Sequence, residues 1–235
     1  MEHPIFFLTS LVDAVGMTEV VSPLYGAYHT PHVLYTWLAM ALLIIAGILA
    51  TKSVSMFPGK WQNFIEILVQ GMEDFTVDVA GEEGRRFFPI LASVFLYILL
   101  CNLFGLIPGF FPPTATVNTT ASCALVIVIG THVIGLMYHG VKYIKHFLGP
   151  IWWMAPLIFP IEIIGHVARV LSLSIRLFGN IAGHELVVMI LFGLAGLFFA
   201  PVPIMALGIF VSVVQAFVFF LLSIMYFSGS MEHAH

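Results

Sequence analysis

The chain has 235 residues, of which 60% are hydrophobic and 9% charged; its mean hydropathy is +1.06 and its formal net charge is −4. A soluble domain of this length cannot bury so much apolar surface and still present a charged exterior, so the composition excludes one. What remains is an all-α polytopic membrane protein, because helices satisfy their own backbone hydrogen bonds in lipid, and the small acidic excess argues against a nucleic-acid partner.

In chain order the sequence reads as a single membrane domain over 1–235. Residues 1–32 lack a basic start, an apolar core and a small-residue cleavage site, so the segment is expected to be external and not a removable signal. A spanning helix needs about 20 mainly apolar residues. The first such stretch is 33–50, closed by Lys52. Residues 60–80 differ, with Phe64, Ile67, Leu68, Met72 and Phe75 at 3–4 spacing among Glu66, Glu73, Asp74 and Asp78. That pattern predicts an amphipathic helix at the membrane interface or against a soluble partner; an ordinary surface helix in a connecting loop fits it too. A second span, 88–107, follows Gly84-Arg85-Arg86 and ends at the breaker-rich stretch 108–113. The third is 121–138, with Lys142 and Lys145 behind it. From 156 to 199 the apolar character continues too long for one simple span, and beyond Pro201 and Pro203 a last helix covers 204–227. The expected architecture is therefore about five membrane-embedded helices plus an amphipathic interfacial helix. Cys101 and Cys123 lie inside apolar runs and read as small buried hydrophobes, not as a disulfide or a metal site.

Lys52, Lys60, Arg85, Arg86, Lys142 and Lys145 fall in the two connections that three alternating spans put on one side. The positive-inside rule makes that side cytoplasmic and the N-terminus external; a hairpin of the long and last helices returns the C-terminus to the cytoplasm. No internal repeat is evident, which weakens a transporter built from inverted halves.

The remaining basic residues, Arg169 and Arg176, stand inside the long apolar stretch. On a helical projection with Glu162 at zero, His166 falls at about +40°, Arg169 near −20°, Arg176 near −40°, Asn180 near 0° and His184 near +40°. These six groups share one face over a rise of roughly 33 Å, close to the ~30 Å of a bilayer core. Such groups can simply tie a bundle together through hydrogen bonds. A charge at a helix centre, however, costs on the order of 3 kcal/mol to insert, and a stripe with two arginines and a glutamate points to an ion path. Glu185, near +140°, lies off the stripe. Gln215, alone among apolar neighbours in the last helix, needs a partner on an adjacent helix, and the face carrying Arg176 is the natural one. Glycines 165, 179 and 183 permit bends or close contacts.

Arginine stays cationic at any physiological pH, so Arg176 cannot carry a proton. It can hold a carboxylate ionised and bar protons from passing. Glutamate and histidine can carry protons, because burial and neighbours move their pKa values. Glu162 and His166 on one side of Arg176, with His184 and Glu185 on the other, imply two proton paths separated by a fixed charge. A carboxylate from another subunit would complete the arrangement.

The stretches NLFGLIPG (102–109), PIEIIGHVARVLSLSIRLFGN (160–180) and SLSIRLFGNIAGHELVV, with QAFVF in the last helix, closely resemble subunit a of the F-type ATP synthase membrane sector. The resemblance covers most of the chain from about residue 60 onward. It implies a stator beside a rotating c-ring, with Arg176 facing the ring's carboxylate. By the same resemblance Asn180 matches the family's motif asparagine, Glu185 its channel glutamate and Gln215 its last-helix glutamine, and Glu162 matches the acidic position associated with the cytoplasmic half-channel. Asn102 matches a polar position of a water-accessible region. One departure is plain: where many bacterial relatives have glycine before the channel glutamate and histidine seven residues before the glutamine, this chain has His184 and Gly208. The imidazole is then expected on the other helix, with the two positions as neighbours and His184 as a relay.

The implied partners are the c-ring, the peripheral-stalk subunit b, the other synthase subunits, lipid and protons, in a bacterial inner membrane. No cofactor is expected, and no nucleotide-binding G-x-x-x-x-G-K-[ST] loop is present, so the chain reads as a non-catalytic subunit. A self-contained proton-coupled transporter is the alternative; it would need internal repeats and a carboxylate for Arg176 within the chain. A metal-dependent membrane hydrolase would need a ligand set such as H-E-x-x-H, which is absent.

Overall fold

The computed structural model describes residues 30–52, 59–107, 110–140, 143, 155–195 and 201–231. The expectations for 1–29, for Lys142 and Lys145, and for the tail 196–199 of the long helix lie outside the described residues. Among the described residues every regular element is helical: α1 (Thr30–Lys52), α2 (Lys60–Ala80), α3 (Phe88–Phe104), α4 (Val117–His139), α5 (Ala155–Ala195) and α6 (Pro201–Met231), with short 3-10 turns at Glu82–Arg86 and Pro113–Ala115. Four of these contain stretches long and apolar enough to cross a membrane, and α3 is a shorter apolar helix.

The helix ends depart from the predicted limits for local reasons. Residues 30–32, expected in the external segment, open α1 instead, since Pro31 in a first turn forfeits no hydrogen bond. Past Phe104 the chain tightens: the amides of Gly105, Leu106 and Ile107 bond back three residues, to Asn102, Leu103 and Phe104. Helix α4 begins one turn earlier than predicted, because Thr116 and Thr120 hydroxyls bond locally to the carbonyls of Pro113, Thr116 and Val117. Pro201 and Pro203 sit in the first turn of α6, where prolines are tolerated. The stretch expected over 156–199 is one continuous helix of 41 residues to Ala195.

Helices α3 to α6 form the bundle, with α4 against α5, α3 against α6, and α6 also against α4 and α5. Its core interleaves Leu91, Phe95 and Ile98 of α3, Ala124 and Ile127 of α4, Leu173, Leu177 and Ile181 of α5, and Phe219, Phe220, Ile224 and Phe227 of α6. Helix α1 leans on α3 through Tyr35 and Ala39 against Cys101 and Phe104, and on the Pro113–Ala115 turn, with Tyr35 also against Phe110; both cysteines are free and buried, as expected. Helix α2 divides along its length. Its second half is packed, with Thr76 buried and Phe75 against Phe217 and Phe220, whereas Phe64, Ile67 and Leu68 of the first half stay exposed. Phe87 contacts Tyr138 and Phe227. The start of α3 and the ends of α4 and α6 therefore share one end of the bundle. Lys52, Lys60, Arg85 and Arg86 lie at that basic end, where Arg85 pairs with Glu73 at 2.9 Å.

Candidate functional site

The packed face of α5 in its middle third is Leu173, Ser174, Leu177 and Ile181, all buried. On the projection used above they fall between about +20° and +120°. The polar stripe, from about −40° to +40°, thus runs along one border of the packed face, and Glu185 at about +140° flanks the other. That offset explains the burial of each group. His166, Glu162, Arg169, His184 and Glu185 are half-buried, while Arg176 and Asn180 are exposed.

Toward the non-basic end, Asn180 Nδ2 donates to Gln215 Oε1 at 2.6 Å, and Gln215 is 5% exposed. The partner predicted for that glutamine is on the predicted face. Asn102 is likewise buried; its Oδ1 accepts from Thr114 Oγ1 at 2.7 Å and its Nδ2 reaches Ser212 O at 3.5 Å. Nearby, the hydroxyls of Thr120 and Ser174 meet at 3.0 Å. Gly208 faces His184 so closely that a Cβ there would collide with Nε2, and would lie 2.6 Å from Cε1 and 2.7 Å from Leu106 Cδ2. The imidazole of α5 thus fills the space that the glycine of α6 leaves, as the sequence pattern implied. His184 Nε2 is buried with no hydrogen-bond partner among the described residues. Glu185 forms no ion pair among them either.

Toward the basic end, Glu162 Oε1 lies 3.4 Å from His166 Nε2, one turn on. Arg169 lies over the ring of Tyr226, 5.5 Å from its centroid. His132 of α4 meets His166 with ring centroids 4.4 Å apart.

Between the two clusters stands Arg176. At 1.5 Å per residue it is about 15 Å along the helix from His166 and about 12 Å from His184. Its Nη2 donates to Ser172 Oγ at 3.4 Å, and among the described residues no carboxylate pairs with it. Gly165, Ser172, Gly179 and Gly183 lie beside it on the same open side, at about −60° to −100°. No atom would come within 4 Å of a Cβ at any of the three glycines. The open face thus carries small residues and one unpaired cation.

Sequence reading found the helical face and the nearness of Gln215 and Gly208 to it, and missed the other partners across elements. Thr114, Ser212, Tyr143 and Tyr226 had no signal of their own. No group of three His, Cys, Asp or Glu converges as a metal site among the described residues.

The profile of the ATP synthase A chain family matches residues 33–228. The chain is 60% identical over 235 residues to the ATP synthase subunit a of Desulfosudis oleivorans, covering all of both chains. It is 57% identical over 240 residues to that of Syntrophobacter fumaroxidans and 53% over 238 residues to that of Geotalea daltonii, again covering the whole of each. With a bundle of apolar helices, a polar seam through it and full-length relatives of one kind, this chain belongs to the ATP synthase A chain family, as a membrane subunit in ATP synthesis and ion transport.

Proposed function

We propose that this chain is the proton-translocating stator of an F-type ATP synthase, with two offset half-channels that meet a c-ring carboxylate on either side of Arg176. The observation that carries the reading is the exposed, unpaired Arg176 between two half-buried polar clusters. A cation left without a carboxylate among the described residues, on a face of small residues, suits the close approach of another subunit's helix bearing that carboxylate. A self-contained transporter would pair Arg176 internally.

A proton enters from the non-basic end along Asn102, Gln215, Asn180, His184 and Glu185 and neutralises the ring carboxylate. Once neutral, that carboxylate can turn into lipid without the large penalty of carrying a charge there. After nearly a full turn it releases its proton toward Glu162 and His166, and Arg176 holds it ionised and closes the direct path between the clusters. The chain supplies no covalent chemistry. Subunit b and the remaining synthase subunits hold it in place, in a bacterial inner membrane with the N-terminus outside and the basic end, with the C-terminus, in the cytoplasm.

The test is Arg176→Ala in inverted membrane vesicles, with ATP-driven pumping and passive leak recorded separately. Lost pumping in an assembled complex is the expected result, and a raised leak identifies Arg176 as the barrier. Normal pumping by the assembled variant refutes the reading.

A further inference from the structure

Two groups at the basic end have no role in the path above: His132 of α4 and Tyr143, just beyond it. His132 Nδ1 lies 2.9 Å from Tyr143 Oη. Its ring meets that of His166 edge-on, with centroids 4.4 Å apart and planes at 65°. His166 continues to Glu162, 3.4 Å away, with side chains 13% and 32% exposed. The four groups form an unbroken series from α5, through α4, to the segment after α4.

The series is built, and the means is a glycine. A Cβ at Gly135, on the helix turn next to His132, would collide with Tyr143 Cε2 and lie 2.7 Å from its Cζ. The missing side chain at 135 leaves the room in which the phenol packs on α4 and reaches the imidazole. Gly140, with φ 53°, turns the chain at the end of α4 so that Tyr143 comes back onto it.

Every member can both give and accept a proton: phenol, two imidazoles and a carboxyl group. The edge-on pair does not itself exchange a proton, but rotation of either ring about χ2 turns a nitrogen toward its neighbour. The charges facing the pair limit how many protons it holds. Arg169 and Glu162 lie within electrostatic reach of His132. Tyr226 of α6 offers its ring face to Arg169. Two imidazolium ions beside Arg169 would repel one another, and the one carboxylate of Glu162 can offset only one of them.

We propose that Tyr143, His132 and His166 form, with Glu162, a proton relay that serves the basic-end half-channel, with Gly135 as the residue that positions Tyr143. This rests on the stator reading above. The proton passes from Glu162 to His166, then to His132 and out past Tyr143, each transfer breaking one N–H or O–H bond and forming the next; the reverse path serves ATP-driven pumping.

The test uses the complete synthase in inverted vesicles, and passive proton flux after removal of the soluble sector. His132→Gln with His166→Gln removes the imidazoles; Gly135→Ala leaves both and displaces Tyr143. Assembly is checked on native gels. Flux is expected to fall about tenfold in the double variant, below the roughly hundredfold or more typical of acid–base groups, because water can stand in for them. Its variation across the imidazole range, near pH 6.5, should flatten. Gly135→Ala should lower flux with that pH profile retained. If the double variant does not assemble, Gly135→Ala and the single His132→Gln decide the matter by the same readings. Flux and pH profile equal to those of the parent in assembled variants overturn the relay. Arg176→Ala in parallel separates the failures: if it abolishes pumping while these variants conduct normally, the relay alone falls, and if it pumps normally, the stator reading falls with it.

Discussion

Gly208→Ala is a small change with two opposed effects that the structure allows to be weighed. In the middle of α6, alanine is favoured over glycine by about 0.8–1.0 kcal/mol of helix propensity. Against this, the new methyl would collide with His184 Nε2 and crowd Leu106 Cδ2 at 2.7 Å. Overpacking costs about 1–3 kcal/mol. Here the obstructing atoms are the tips of side chains, which can swing away at about 0.5–1.5 kcal/mol for an off-rotamer angle, so the cost falls at the low end. The two effects nearly cancel, and stability should change by less than about 1 kcal/mol. Position is a different matter, because the imidazole must leave its place on α6. Gly208→Ala should therefore assemble and unfold near the parent temperature, yet pump protons more slowly. In a His184→Ala background the same substitution meets only Leu106, and should be better tolerated than in the parent, with no further loss of pumping. Thermal unfolding of the purified complex and a fluorescent pH probe in inverted vesicles measure the two arms. Normal pumping by assembled Gly208→Ala, or equal effects of Gly208→Ala in both backgrounds, would refute the contact or its place in the path.

Two further outcomes follow from hydrogen bonds and ion pairs on the same helices. Asn180→Ala should destabilise the complex by about 1–3 kcal/mol, because it strips the buried Gln215 amide of its partner at 2.6 Å. Asn180→Leu with Gln215→Leu should cost less than the two single changes added, and strict additivity in thermal unfolding would count against that bond. Arg85→Gln should cost at most about 1 kcal/mol and less in high salt, since Arg85 is 55% and Glu73 32% exposed. A salt-independent drop in melting temperature would mean that the pair is not the source of the effect.

The stripe on α5 could be read from sequence because helical spacing alone puts residues 162, 166, 169, 176, 180 and 184 on one face. Its position relative to the bundle could not. Leu173, Leu177 and Ile181 are no more apolar than the exposed Leu171 and Ile175, and lipid accepts an apolar side chain as readily as a protein core does. For the same reason the 3–4 pattern of α2 does not reveal that Phe75 is packed and Phe64 exposed. The hydroxyl partners were hidden by a different ambiguity. Serine and threonine in membrane helices commonly bond to their own backbone, as Thr131 does to Ile127 O and Ser223 to Phe219 O. Nothing in sequence separates these from Thr114 and Ser174, which bond across elements. The proximity of His184 and Gly208 was accessible only through a family pattern in which bulk and its absence trade places between two helices. Tyr143 reaches His132 because of a glycine and a left-handed turn, which in sequence read simply as the end of a helix.

The length of α5 has a geometric consequence. Its apolar stretch Pro156–Leu191 has 36 residues, about 54 Å of helix. A hydrocarbon layer of about 30 Å, or about 45 Å with its headgroups, admits such a rod only at a slope of roughly 34–56° from the membrane normal. His166 and His184 are about 27 Å apart along that rod, so their sideways separation is roughly 15–22 Å. The two ends of the path therefore do not lie one above the other. In the stator proposed above, a proton taken up at one and released at the other is carried across the plane of the membrane as well as through it, and because Arg176 closes the direct line between them the carrier goes the long way round. An oblique helix thus turns a voltage, which has only depth, into a displacement with a direction.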